Sequence, residues 1–548
     1  CGVRAGAPLA PAMLRPALLL LALTIVASSA SAQPAVTKYW VFFHDKAMDA
    51  AGRSAVAVSE RAEARRALRG RPVPAHLDVP VAPRYVRALE DAGARVVVES
   101  RWLNAVSAEI APADLPRVAA LPFVREVRRV ASLAPMHEGI PLPLASEGGP
   151  DPGPSGFQLA FVAADRGLDR GYNGTGVRLG FLDTLFDFFH PALVHIPNSG
   201  RLIAVTDFTG QTQENYHGLA TTSIAMGFDE GDLIGPAYGI EALAATTEYA
   251  PTETHQEEDF FVAGMEWMEA NGADVVNVSL SYTLFDPGEG DYTYEMLDGD
   301  TTPFTRAVDW AAALGVAVVV AMGNYGDDPW RYLGAPADAD SAIAVAAARP
   351  DSSRASFSSV GPTADGRIKP DVAALGAGVY LAVPDGGYTH SSGTSAAAPM
   401  IAGIVCQLLQ ADPTLNPIQV RDLLRATASQ SATPDTLLGW GIANADAALA
   451  VTLGPPPEPP GALSLSLFPS VAEAGHRVTL RLETSRAGAY SVEVFDALGR
   501  RVLTPFSGTL GMGRQALPLN LPALPSGPYF VRLTGPDGTA AARLAVIR

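Results

Sequence analysis

Four runs of unalternated apolar residues decide most of what this chain can fold into. They are "VRLGFLD" (177–183), "VVNVSLS" (275–281), "VAVVVAMGN" (316–324) and "SAIAVAAA" (341–348). A strand with one wet face alternates apolar and polar residues. A strand without alternation is buried on both faces, which is the condition of a parallel sheet lying under helices. Between these runs lie "FFVAGMEWMEANG" and "TPFTRAVDWAAALG", whose large residues recur at helical spacing. The segment 157–453 is therefore expected to be an α/β unit, a parallel sheet covered by helices on both faces.

The flanks read differently. Residues 33–130 suggest a small α+β unit, with "KYWVFF" as a strand, "SERAEARRALRG" and "PRYVRALEDAG" as helices, and "ARVVVESRWLNAVSAEI" and "FVREVRRV" as further strands. A Pro/Gly-rich linker is expected over 131–156 and a stiff one, "GPPPEPPG", over 454–461. Residues 462–548 alternate apolar and polar positions between turn residues, as in a small antiparallel β-sandwich. At the other end, "MLRPALLLLALTIVASSASAQ" has a basic start, a short apolar run and an Ala30-Ser31-Ala32 end. That reads as a secretory signal peptide, with Met13 as the true start, residues 1–32 removed and Gln33 the first retained residue.

Charge and cysteine content exclude several function classes. The central part, 155–461, holds 12 Lys and Arg against 38 Asp and Glu. Such an acidic body argues against nucleic acid as a partner. The last 87 residues hold 9 Arg, 5 acids and no lysine. Cys1 and Cys406 are the two cysteines, so no disulfide framework forms. Cys406, within "APMIAGIVCQLL", reads as a buried apolar residue. No phosphate-binding GxxxxGK[ST] loop occurs, and "GTGVRLG" lacks the dinucleotide spacing.

Open parallel sheets present chemical groups at the carboxyl ends of their strands. Three strands end in polar residues, at Asp183, Asn324 and Ser279–Ser281. Singly, such residues are more often turn or helix caps than catalysts. His217, in "ENYHGLATTSIAMG", opens a run of small residues suited to a closely packed helix. His390 lies five residues before Ser395, in less distinctive surroundings. In "SSGTSAAAPM", Pro399 cannot donate to the carbonyl of Ser395, so a helix should begin near that serine. By its local sequence alone Ser395 serves equally as helix cap or as nucleophile.

Together these stretches resemble the subtilase (S8-type, subtilisin-like) serine proteases. "LDTLFDFFHPAL" is similar to the family's aspartate motif, "HGLATTSIAMG" to its histidine motif, "AMGN" to its oxyanion-donor motif and "GTSAAAP" to its serine motif. "ASFSSVGP", "KPDVAALG" and "GWGIANADAAL" follow in the family's order. The resemblance implies a subtilisin-like fold and a secreted serine endopeptidase acting on protein or peptide substrates through Asp183, His217 and Ser395. It implies Asn324 as oxyanion donor and Ser279, Leu280 and Ser281 as a substrate-binding strand. Structural calcium is the one metal it brings into question, and no ligand loop of clear spacing is visible. Residues 33–130 resemble the family's propeptides, a ferredoxin-like unit that blocks the cleft of a zymogen. The C-terminal "SVEVFDALGRRV…LPSGPYFVRLT" resembles sorting domains of type IX secretion, so secretion machinery is an expected partner, and a monomer is expected. The alternative is an inactive subtilase-fold binding or adhesion protein at the cell surface. Three departures bear on the site. Leu185 and Leu219 stand where the family usually has Gly and Thr, and Ser281-Tyr282 replace Gly-Gly, which is expected to narrow the cleft rim.

Overall fold

The computed structural model describes residues 37–46, 58–70, 77–129, 150–211, 215–251, 254–285, 290–453 and, apart from residues 474, 485, 498, 523 and 537, residues 463–547. The expected signal peptide, the Pro-rich linker and most of the 131–156 linker lie outside these.

The first unit is a four-stranded antiparallel sheet. Its strands are β1 (Thr37–Phe43), β2 (Ala94–Ser100), β3 (Ala105–Ile110) and β4 (Val124–Arg129), in the order β2-β3-β1-β4. Helices α1 (Glu60–Leu68) and α2 (Pro83–Asp91) precede β2, and α3 (Leu115–Ala119) precedes β4. β1 has no alternation because both its faces are covered. Val41 and Phe43 pack with Leu89 and Tyr85 of α2, whereas Trp40 and Phe42 belong to the large core of the central unit.

The central unit is the expected parallel sheet. Its seven strands are β5 (Arg178–Asp183), β6 (Leu202–Asp207), β7 (Glu241–Thr246), β8 (Val275–Val278), β9 (Ala317–Ala321), β10 (Ile343–Ala348) and β11 (Val372–Leu375). They run in the order β11-β10-β9-β8-β5-β7-β6, and every neighbouring pair is parallel. Strands β8, β9 and β10 are buried at every residue, as their unalternated sequences require. The order reverses between β5 and β8, so the crevice at their carboxyl ends is where a doubly wound sheet accommodates a ligand. Four helices matter below: α4 (His217–Met226), α5 (Gln256–Ala270), α6 (Pro303–Ala313) and α7 (Thr394–Ala411). Cys406 lies on α7, fully buried, and burial raises its thiol well above the ordinary cysteine value. The apolar reading of that residue holds.

The first unit grips the central one in two places. Its sheet lies on α5, where Ser107 Oγ donates to Asp259 Oδ2 (2.5 Å) and Ser100 Oγ to Glu266 Oε1 (2.7 Å). Helix α1 reaches past this sheet to the amino ends of the central strands. Ser59 caps it by accepting from Ala62 N–H, and the Ser59 N–H donates to Ala270 O at the end of α5. Arg65 donates to Ala273 O (2.6 Å), just before β8, and Arg69 to Gly315 O, just before β9. Glu269, with a fully buried side chain, accepts from Arg65, Arg66 and Arg101. Asp274 accepts from Arg61 (2.7 Å) and Arg69 (3.1 Å).

The C-terminal unit has its own core, built from residues such as Val478, Val492, Val531 and Leu544. Its strands are β12 (Ser464–Phe468), β13 (Val471–Glu473), β14 (Arg477–Thr484), β15 (Gly488–Asp496), β16 (Arg501–Leu510), β17 (Gly513–Asn520), β18 (Gly527–Gly535) and β19 (Gly538–Ile547). They form sheets β12-β14-β17 and β13-β19-β18-β15-β16. The sandwich is antiparallel as expected except at one edge, where β13 pairs parallel with β19.

Candidate active site

Asp183 is the last residue of β5 and is fully buried. A carboxylate there needs several donors. Its Oδ1 accepts from the Thr184 N–H (2.7 Å) and from His217 Nδ1 (2.8 Å), and its Oδ2 from Thr221 Oγ1 (3.0 Å). Thr221 stands one turn along α4 from His217, so one helix supplies both partners. Because Nδ1–H is held by a carboxylate, Nε2 is left as the acceptor that faces outward. Burial alone would lower the histidine's pKa. The Asp183 charge and its hydrogen bond outweigh that and hold it above the ordinary value. Gly218 is required by close approach, since a Cβ there would stand 2.7 Å from Leu185 O.

That contact also accounts for Leu185. Its backbone lies outside the left-handed region that favours glycine. Its N–H donates to Asn215 O (3.2 Å), and its carbonyl accepts from Leu219 N–H (3.1 Å). A leucine therefore fits without strain, and Leu219 is fully buried in the core.

Ser395 is the second residue of α7, and its side chain reaches the cleft that His217 also lines. Pro399 sits inside the helix, so the Ser395 carbonyl lacks its usual helical donor. Ser279 Oγ supplies one instead at 2.9 Å, and is itself held by Asn277 Nδ2 at 2.9 Å. The polar exit of β8 thus fixes the start of α7. The expected strand over 275–281 ends at Val278, because only Val275–Val278 find partners on both sides. Ser279, Leu280 and Ser281 run on beyond the sheet and line the cleft.

Asn324 follows β9. Its Oδ1 accepts from the Thr394 N–H (2.9 Å) and from Thr394 Oγ1 (2.9 Å). This orients the amide with Nδ2 toward Gly393, where a Cβ would stand 3.3 Å from Nδ2 and 2.8 Å from Ser395 Oγ. The amide and the serine hydroxyl therefore flank one point. His390 is placed elsewhere, half-buried in the hairpin strand 387–391 with its ring against Tyr380. Sequence reasoning did not single out Thr221 or Thr394. Each is one of several small polar residues in its motif, and their spacing from Asp183 and Asn324 is not local.

Comparison with known proteins agrees with the fold. The Subtilase family model matches residues 174–441, and a Bacteroidota peptidase S8 propeptide model matches 38–140. Subtilisin DY of Bacillus licheniformis is 32% identical over 296 residues, covering 53% of this chain and 97% of its own. A subtilisin of Bacillus pumilus is 30% identical, covering 53% and 98%. The alkaline elastase YaB of Bacillus sp. (strain YaB) is 31% identical over 293 residues, covering 52% and 68%. The chain belongs to the subtilase family. It is a subtilisin-like serine endopeptidase with peptide substrates, and its propeptide domain is an intramolecular inhibitor. Among the described residues no group of three or more His, Cys, Asp or Glu side chains could hold a metal ion. The described residues thus offer no carboxylate-built calcium site.

Proposed function

We propose that the chain is a secreted zymogen whose mature form hydrolyses peptide bonds through an acyl-enzyme on Ser395. The supporting observation is one crevice, at the carboxyl end of the sheet, lined by His217 on its buried carboxylate and by Ser395 at a helix start. His217 Nε2 takes the Ser395 Oγ proton as that oxygen adds to the substrate carbonyl carbon. Asp183 keeps the proton on Nδ1 and stabilises the imidazolium that forms. The oxyanion is received by Asn324 Nδ2–H and the Ser395 N–H, one of the first amides of α7 and so without a helical acceptor. Collapse breaks the C–N bond, and His217 returns its proton to the leaving amine. Water, deprotonated by the same imidazole, then cleaves the ester and restores Ser395. Residues 279–281 carry backbone beyond the sheet, suited to pairing with extended substrate.

On this reading residues 1–32 direct export, 33–130 form the propeptide, 131–156 hold the processing site, and 157–453 are the protease. The Pro-rich segment 454–461 then joins it to a sorting domain over 462–548, which has a core of its own and rests on the protease through Val471, Ala545 and Ile547. Full-length Ser395→Ala is expected to accumulate uncut while the wild type is cut within 131–156. Equal cutting of both would end the reading of Ser395 as the self-processing nucleophile.

A further inference from the structure

The crevice beside Ser395 also carries information about which side chain it accepts. Strands β8 and β9 pair in parallel, Val275 with Ala317 and Val278 with Val320. Their continuations, Ser279–Ser281 and Gly323–Tyr325, therefore leave the sheet side by side, and Ser281, Gly323 and Tyr325 line the cleft with Ser395. The gap between these two exits adjoins Ser395 in the cleft, and it is where the side chain of the residue whose carbonyl Ser395 attacks, P1, would lie. Glycines 323 and 334 face that gap and on their own would leave a slot.

In this chain the slot is filled. A Cβ on Gly323 would stand 2.6 Å from Ser281 Oγ and 2.8 Å from the Tyr325 ring. A Cβ on Gly334 would collide with the same Ser281 hydroxyl. Tyr325 Oη donates to Ser281 O (2.9 Å), tying its ring across the gap. Ser281 Oγ is buried there and makes no hydrogen bond within the described structure, so a buried polar atom forms the floor. The neighbouring Tyr282 takes no part. Its ring turns inward, stacked on Phe304 at 3.9 Å, with its hydroxyl on Glu248. The narrowing expected from Ser281-Tyr282 is thus produced by Ser281 with Tyr325.

We propose that Ser281 and Tyr325 restrict the residue before the scissile bond to glycine, alanine or serine. This rests on the reading of Ser395 as the nucleophile. A small P1 residue fits above this closed floor with the Tyr325 ring left in place. A leucine, phenylalanine or lysine must displace the Tyr325 ring and break its bond to Ser281 O.

The test is a panel of peptide anilides differing only at P1, hydrolysed by enzyme matured from the full chain. Its kcat/KM for alanine is expected to exceed that for phenylalanine by roughly 100-fold. Tyr325→Ala should move the phenylalanine-to-alanine ratio up by at least about tenfold. Tyr325→Phe, which keeps the ring and loses only the hydroxyl, should leave the wild-type order of substrates in place. Wild-type enzyme that prefers leucine or phenylalanine overturns the proposal, as does an unchanged ratio in Tyr325→Ala. If Tyr325→Ala does not fold, the wild-type panel decides alone. Enzyme that a serine-directed phosphonate labels but that prefers a large P1 residue sinks only this pocket. Enzyme that is neither labelled nor active sinks the nucleophile as well.

Discussion

Glu269→Gln separates the hold of the propeptide from the chemistry of the cleft. Glu269, the penultimate residue of α5, has its side chain fully buried beneath guanidinium groups that are themselves 2% to 5% exposed. Arg66 donates to both of its oxygens, at 2.9 and 2.8 Å, and Arg65 and Arg101 share them. Replacing one member of a buried ion cluster typically costs about 3–5 kcal/mol, because the remaining charges stay buried and unmatched. Asp78 still pairs with Arg66 and Arg101, so the lower figure, about 3 kcal/mol, applies here. At 1.4 kcal/mol per decade, that is a loss of roughly 100-fold in propeptide affinity. The contact lies at the amino ends of the strands, whereas the candidate site lies at the carboxyl ends. The mature variant should therefore keep its kcat/KM. After self-processing, the wild-type propeptide should co-elute with the protease on gel filtration and delay the onset of peptidase activity on dilution. The variant should lose co-elution and show a far shorter delay. A delay within about twofold of wild type would refute the cluster as an anchor worth about 3 kcal/mol.

Three further outcomes follow from distances at the two sites. Asp183→Asn should lower kcat by on the order of 10⁴, since the imidazole loses the partner that sets its tautomer. Asp183 also holds the His217 pKa above the ordinary 6.5, so the acid limb of the pH–rate profile should shift to lower pH in this variant. Asn324→Ala should reduce kcat by about 10²–10³ with little change in KM, measured by steady-state hydrolysis. Asp259 is pushed up to about 6, chiefly by burial under the propeptide sheet, against the lowering effect of Lys38. A carboxyl raised in the bound state favours binding at acid pH, and that contribution is lost as pH rises from about 4 to about 6. The propeptide should leave faster over that interval, and Asp259→Asn should flatten the dependence.

The features legible in the sequence were those written in local pattern. Unalternated runs marked β5, β8, β9 and β10 because burial on both faces leaves that signature. Ser395 was readable as a helix entry through Pro399, and α7 does begin at Thr394. What the pattern could not carry was contact between distant segments. "SERAEARRALRG" reads as a helix, but nothing in it says that its arginines pair with Glu269 and Asp274, 204 and 205 residues further along the chain. Leu185 looked like a misfit against a family motif, and it fits because its φ is ordinary and Gly218 makes room. The end of β8 at Val278 depends on where its two partner strands stop, which "VVNVSLS" does not record. Tyr325 drew no notice because its role arises from a bond to Ser281, on the neighbouring strand's exit.

The most direct test of the central claim is labelling of the matured protein with a serine-reactive phosphonate, followed by mass-spectrometric mapping of the adduct. The account predicts a single adduct on Ser395, formed at a rate that falls with pH below the His217 midpoint and falls sharply in His217→Ala. Absence of labelling on folded, propeptide-free protein, or an adduct on another residue, would contradict it.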